Sequence, residues 1–226
     1  NAGVIGAIIA RFLSNLSYFD TIEVSYDNEP VLAAGVKMAQ VIRSNQDLPM
    51  VLQPGKMYSK SRTILAERSI QTVRAQGKCL IAYIEDKMEM KLAEDHVLRG
   101  WAMVHAGWLL NRYHLTSSSG ITAYMAVRGR PYKGRVCAFG EEVYALDSLQ
   151  QKYQCQWRKG CWLTKDEADH DIVAVGENEI IRSKAVRKTA EHWDAAALLA
   201  LQVGPWDMKR GTQTSLQPSR PAVHPV

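Results

Sequence analysis

"TIEVSYDNEPVLAAGVKMAQ", residues 21–40, opens with the β-branched and aromatic content of a short buried strand and closes with helical spacing. Val31, Ala34, Met38 and Val41 recur at three- and four-residue steps, as a helix packed on a sheet requires. Downstream, "LPMVLQPG" (48–55) reads as a second strand stopped by Pro54 and Gly55. Strand, helix and strand at this spacing predict a right-handed βαβ unit, and therefore an α/β fold with a parallel sheet. Asp27 sits at the join. It is either a turn residue capping the helix that Pro30 opens, together with Asn28, or a ligand placed at the carboxyl end of a strand, where α/β sheets bind their substrates.

The 226 residues, 46% of them hydrophobic, suffice for one sizeable domain or two small ones. The apolar start, "NAGVIGAIIARF", contains Arg11, lacks a basic flank and is too short to span a bilayer, so neither a signal peptide nor a membrane helix is expected. The first residue is not Met, which leads us to expect an internal piece of a longer polypeptide. Cys79, Cys137, Cys155 and Cys161 form no Cys-x-x-Cys pair and the six histidines have no metal spacing, so reduced thiols are expected. A net charge of +5 invites a polyanionic partner, although such an excess is common in proteins that bind none.

A longer helix is predicted over Ser61–Met88, with a stripe of Ala66, Ile70, Val73, Gly77, Leu80, Ile84 and Met88. "EDHVLRGWAMVHAGWLLNRY" is another, with Val97, Trp101, Val104 and Trp108 on one stripe. After a loop at Ser117–Gly120 and a short helix around Tyr124, residues 136–188 read as short strands, the last two joined by a tight Gly176-Glu177-Asn178 turn. Such a run suggests a small SH3-type barrel. A helix near His192–Val203 and a polar, proline-bearing tail complete the chain. The predicted organisation is an α/β part over 1–130, an all-β barrel with a terminal helix over 131–204, and a disordered tail over 205–226.

Glu67, in the first turns of the helix that follows the second strand, can face the same crevice as Asp27. Two such carboxylates suit Mg²⁺, which takes oxygen ligands and keeps positions open for phosphate and water. The competing reading makes Glu67 an ordinary solvated helical residue. Lys56, Lys60, Arg62, Arg68, Arg74 and Lys78 surround this single acid, and cations that hold a phosphate backbone around an acid that holds metal are what phosphodiester chemistry needs. A solvated basic helix face explains the same pattern. In the β-rich part Arg128, Arg130, Lys133, Arg135, Lys152, Arg158 and Lys159 are interleaved with Tyr132, Trp157 and Trp162. Basic and aromatic residues on a small barrel can grip nucleic acid by phosphate contacts and stacking; we read the tryptophans as core and take Arg158 and Lys159 as the better nucleic-acid candidates. His105 reads as a hydrogen-bonded packing residue and His170 as part of an exposed acidic turn.

Taken in order, "SYDNEP", "SKSRTILAERSIQTVRAQGK", "GWAMVHAGWLLNRY", "TAYMAVRGRPYKG" and "FGEEVYAL" resemble the integrase region of LTR-retrotransposon polyproteins, from about Ile9 to about Trp206. The resemblance implies a partial RNase H-like catalytic core followed by an SH3-like DNA-binding barrel. It also implies an intracellular protein, nuclear at the time of integration, that works as a homo-multimer on element ends and target DNA with no membrane partner. Asp27 matches the second Asp and Glu67 the Glu of an Asp, Asp, Glu triad that holds Mg²⁺ or Mn²⁺. Lys60, Arg62, Arg74, Lys78, Arg158 and Lys159 are the DNA-binding candidates.

The chain departs from that pattern. The first Asp is expected upstream of residue 1, Thr63 and Ile64 stand where the family carries Asn-Gly, and the interval from Asp27 to Glu67 is slightly long. An unpaired strand edge and a tendency to aggregate are expected to follow. Three readings stand: an integrase fragment inactive as an isolated chain, a catalytically dead DNA-binding remnant or interaction module, and an RNase H-like nuclease.

Overall fold

The structure is a computed structural model. It describes residues 2–16, 18–27, 29–54, 60–116, 119–147, 156–188 and 192–208, with the side chains of 60–63 and 65 left aside. The chain divides into two compact units, Asn1–Thr72 with Ala126–Gly129, and Val73–Met125 with Arg130–Val226.

The first unit contains helix α1 (Ala2–Asn15), strand β1 (Ile22–Tyr26), helix α2 (Pro30–Ser44), strand β2 (Met50–Pro54) and the first turns of helix α3 (Lys60–Met88). β1 and β2 pair in parallel from Ile22 opposite Met50 to Tyr26 opposite Pro54, so the βαβ reading of residues 21–54 holds. Ile22, Val24 and Tyr26 alternate toward a small core of Val36, Ala39 and Met50, while Glu23 and Ser25 face outward. The apolar start of the chain is α1, which packs on α2 through glycines. A β-carbon on Gly6 would meet Met38 at 2.7 Å, and one on Gly35 would strike Ile5. Arg43, fully buried near the end of α2, donates from Nη2 to the Tyr18 carbonyl at 2.9 Å and holds the α1–β1 connection. No described helix is long and apolar enough to cross a membrane.

The second unit holds the rest of α3, then α4 (Val97–Tyr113), α5 (Ala123–Arg128, its last three residues counted with the first unit), β3 (Glu142–Leu146), β4 (Trp157–Lys165), β5 (Asp171–Val175), β6 (Glu179–Ser183), β7 (Val186–Lys188) and α6 (Ala195–Ala200). Its strands form an antiparallel sheet in the order β6-β5-β4-β3-β7. This is a meander whose last strand returns to pair with the first. Both faces are buried. Cys161, Leu163, Ile172 and Ala174 meet α3, α4 and α6 residues such as Ile84, Leu98, Trp101 and Leu198. On the other face Val143, Ala145, Trp162, Val173 and Ile181, with Val186 beside them, close over one another. Strands buried on both faces read as continuous apolar runs, as "DIVAV" does. A curled sheet results, but among the described residues β6 and β7 are not paired with each other, so the small barrel expected from the strand run is not closed.

Two helix faces differ from their sequence reading. On α3 the apolar stripe is buried only in its later part, at Gly77 and Ile84, with Ile81 from outside the stripe buried beside them; Ile70 is 51% exposed. On α4 the buried face runs Leu98, Trp101, His105, Trp108, and Val104 lies outside it. The last helix is shorter than predicted, and Asp194 caps it by accepting from the Ala197 amide at 3.0 Å. Residues 205–208 of the expected tail are described, with Met208 packed against the core; 209–226 lie outside the described residues.

Candidate functional site

Asp27 follows directly on the carboxyl end of β1, and it is exposed. The N-cap of α2 belongs to Glu29, whose side chain makes no capping bond, with Pro30 in the first turn. Because β1 and β2 run in parallel and end in register, the chain leaves the sheet at the same end after Tyr26 and after Pro54. From the second of these exits it continues through residues 55–59, which are not described, into α3. Glu67 is exposed about 10 Å along that helix from its first residue. Both carboxylates therefore belong to the first unit and offer the hard oxygen donors that Mg²⁺ or Mn²⁺ takes. Among the described residues, however, no three His, Cys, Asp or Glu side chains converge on a point where a metal could sit. Asp27 and Glu67 by themselves do not make a closed metal site.

The basic candidates divide. The side chains of Lys60 and Arg62 lie outside the described residues. Arg68, Arg74 and Lys78 are exposed on α3, whose described side chains from Ile64 to Thr72 are exposed all round. Arg158 and Lys159 are committed elsewhere. The Arg158 guanidinium grips Glu179 with both terminal nitrogens, at 2.5 and 2.6 Å, and reaches Asp147 at 3.2 Å. The bidentate bond to Glu179 and the bond to Asp147 hold its pKa well above the usual arginine value, against the opposing effect of burial. Lys159 pairs with Glu142 at 2.7 Å, and that bond raises its pKa as well. Other cations of the sheet are also engaged: Lys165 with Asp171 at 2.9 Å, Lys188 with Glu141 at 2.8 Å, and Arg187 stacked 4.0 Å over Trp157.

His105 is a packing residue, as expected. It is 2% exposed, its Nδ1 lies 3.2 Å from the Thr164 hydroxyl, and its ring stacks on Phe139 and Trp108. Desolvation lowers its pKa to about 4. The acidic turn around His170 is an ion-pair knot: Asp166 meets His170 at 3.3 Å and Arg182 at 3.7 Å, and Asp169 meets Arg112 at 3.6 Å. Trp162 is fully buried and donates to Asp171 at 2.8 Å, consistent with its reading as core. Cys79, Cys137 and Cys161 are free, and burial pushes the Cys161 thiol up to about 12. Cys155 lies outside the described residues.

Sequence reasoning missed the surroundings of Arg112. Its guanidinium lies 4.2 Å from the Trp108 ring and 5.3 and 5.2 Å from those of Tyr124 and Tyr132. The available signal was helical: Trp108 and Arg112 are four residues apart and share a face.

No protein-family model matches the chain, and no curated protein matches its sequence. Among solved structures it is similar to a chain in the cryo-electron-microscopy structure of the simian T-cell lymphotropic virus intasome in complex with PP2A regulatory subunit B56 gamma. The identity is 16%, the match covers 84% of this chain and 65% of that one, and the TM-score is 0.39. The chain thus spans less than two thirds of the length of the chain it matches. Likeness of this degree assigns neither an activity nor a partner.

Proposed function

We propose that this chain is the distal part of a retroelement integrase, serving DNA binding and, within a complete catalytic site, metal-dependent DNA strand transfer. The observation that carries the reading is the parallel register of β1 and β2, which sets Asp27 at the carboxyl end of one strand and sends the other toward the helix bearing Glu67. Asp27 and Glu67 are assigned as two oxygen ligands of Mg²⁺ or Mn²⁺. Among the described residues no third ligand joins them, and DNA binding without strand transfer is the behaviour proposed for the 226-residue chain. The motif series and the exposed cations of α3 support the DNA partner.

Duplex binding measured by fluorescence anisotropy across a salt series tests this. The expected result is an affinity whose logarithm falls linearly with the logarithm of salt concentration. No salt-dependent binding at low ionic strength would sink the reading. A second reading, a catalytically dead DNA-binding remnant, is favoured by Thr63 and Ile64, which stand where the family it resembles carries Asn-Gly. Strand transfer by a polypeptide extended upstream, abolished by Asp27→Asn, would reject it.

A further inference from the structure

We infer that the segment Arg130-Pro131-Tyr132-Lys133-Gly134-Arg135 is a preorganised clamp for the phosphate backbone of duplex DNA, with Arg130, Lys133 and Arg135 as its contacts and Tyr132 as its anchor. The inference rests on the DNA-binding reading above and locates its main contact away from Arg158 and Lys159.

Arg130, Lys133 and Arg135 are exposed, and none forms an ion pair with a described residue. They differ in this from the cations of the neighbouring sheet, whose charges are met by Glu179, Asp147, Glu142, Glu141 and Asp171. A cation already paired has to break that bond before it takes a phosphate. An unpaired one releases only water and offers its full charge.

Tyr132 gives the segment a fixed shape. Its ring meets those of Trp108, Tyr124 and Tyr113 nearly edge to face, at 5.2, 5.4 and 5.9 Å, and the Arg112 guanidinium lies 5.2 Å from its centre. Its hydroxyl is buried, and desolvation and the nearby Asp169 push its pKa above the usual tyrosine value. A β-carbon on Gly134 would collide with the Tyr132 ring, so the backbone closes tightly over its own anchor. Pro131 fixes its own φ just before the anchor and restricts the backbone of Arg130. A segment held this way loses little conformational entropy when its side chains take up phosphates. Contact with a backbone rather than with base edges follows from the residue types: three long cations, and an aromatic ring committed to intramolecular contacts instead of base stacking.

The full chain is titrated with fluorescent duplex DNA from about 50 to 200 mM salt, as wild type and as three variants. The triple variant R130A/K133A/R135A is expected to bind at least about tenfold more weakly, with a salt slope smaller by about 3, one for each cation removed from the phosphate backbone. The double variant R158A/K159A, checked for folding by circular dichroism, is expected to keep the wild-type slope. Tyr132→Leu keeps all three charges but loosens the anchor; its affinity is expected to fall while its slope stays near wild type. Wild-type slope and affinity in the triple variant would overturn the inference and leave the DNA-binding reading intact; no binding by wild type would remove both. Loss of binding to phosphatidylserine vesicles in the triple variant with unchanged DNA binding would assign the segment to a lipid surface and overturn it as well.

Discussion

The two compact units are built to different standards. The second buries both faces of a five-stranded sheet, with Trp101, Trp162, Leu163 and Leu198 at 1% exposure or less, and satisfies its buried charges in pairs. The first rests on Val36, Ala39 and Met50 and exposes Phe12, Phe19, Val31 and Val41 by half or more. Parallel strands are ordinarily covered on both faces, and two strands are too few to stand alone. The candidate carboxylates thus sit on the weaker unit, and the DNA clamp is mounted on the stronger one. The proposed metal ligands and the proposed DNA contacts thus have separate structural supports, and one is expected to survive conditions that remove the other.

All six tryptophans lie at or beyond residue 101, so their fluorescence reports the second unit alone, while hydrogen exchange of the β1–β2 amides reports the first. Unfolding in denaturant is expected to remove exchange protection from β1–β2 before the tryptophan signal moves. Trp162→Ala should cost the second unit about 3–5 kcal/mol and bring the two transitions together. Coincident transitions in the wild type would break the comparison.

His105 makes the second unit acid-sensitive. The unfolded chain takes up a proton near the ordinary histidine value of 6.5, whereas the folded chain declines it until about 4. Stability present at neutral pH therefore declines as pH falls through that window, by about 3 kcal/mol in all, and levels off below it. His105→Phe, which keeps the ring packing, is expected to flatten the pH dependence of the tryptophan transition without moving that of the β1–β2 amides. An unchanged pH profile would mean that other groups govern it.

The smallest effect belongs to the first unit. Gly35→Ala places a methyl against Ile5 at the α1–α2 contact and is expected to cost about 1–3 kcal/mol. The destabilisation should appear in the β1–β2 exchange and leave tryptophan fluorescence untouched. Equal shifts in both would show that the units unfold as one.

Much of this is legible in the chain. The βαβ unit follows from "TIEVSYDNEPVLAAGVKMAQ", because period and turn chemistry are local properties. The hairpin at Gly176-Glu177-Asn178 follows from the same logic, and Gly176 adopts φ +70°. The helix faces are less legible. One face of α3 is covered from Val73 to Met88 and, among the described side chains, none from Ile64 to Thr72, a difference set by what packs against each part rather than by the stripe that runs through both. Arg158 is the sharpest case. Its basic neighbourhood suggests a phosphate contact, but its charge is met by Asp147, 11 residues back, and Glu179, 21 residues on.

The sequence by itself determined the alternation of elements, the position of Asp27 at the end of a strand, the buried role of Trp162 and the supply of positive charge. Only the tertiary structure decided which cations are spent on carboxylates and which stay free for a partner. Ion pairing joins residues that the strand order makes neighbours, and a linear count of Lys and Arg does not record that order. The same holds for Tyr132, which the sequence offers as a ring for stacking on bases and the fold turns inward against Trp108, Tyr113 and Tyr124.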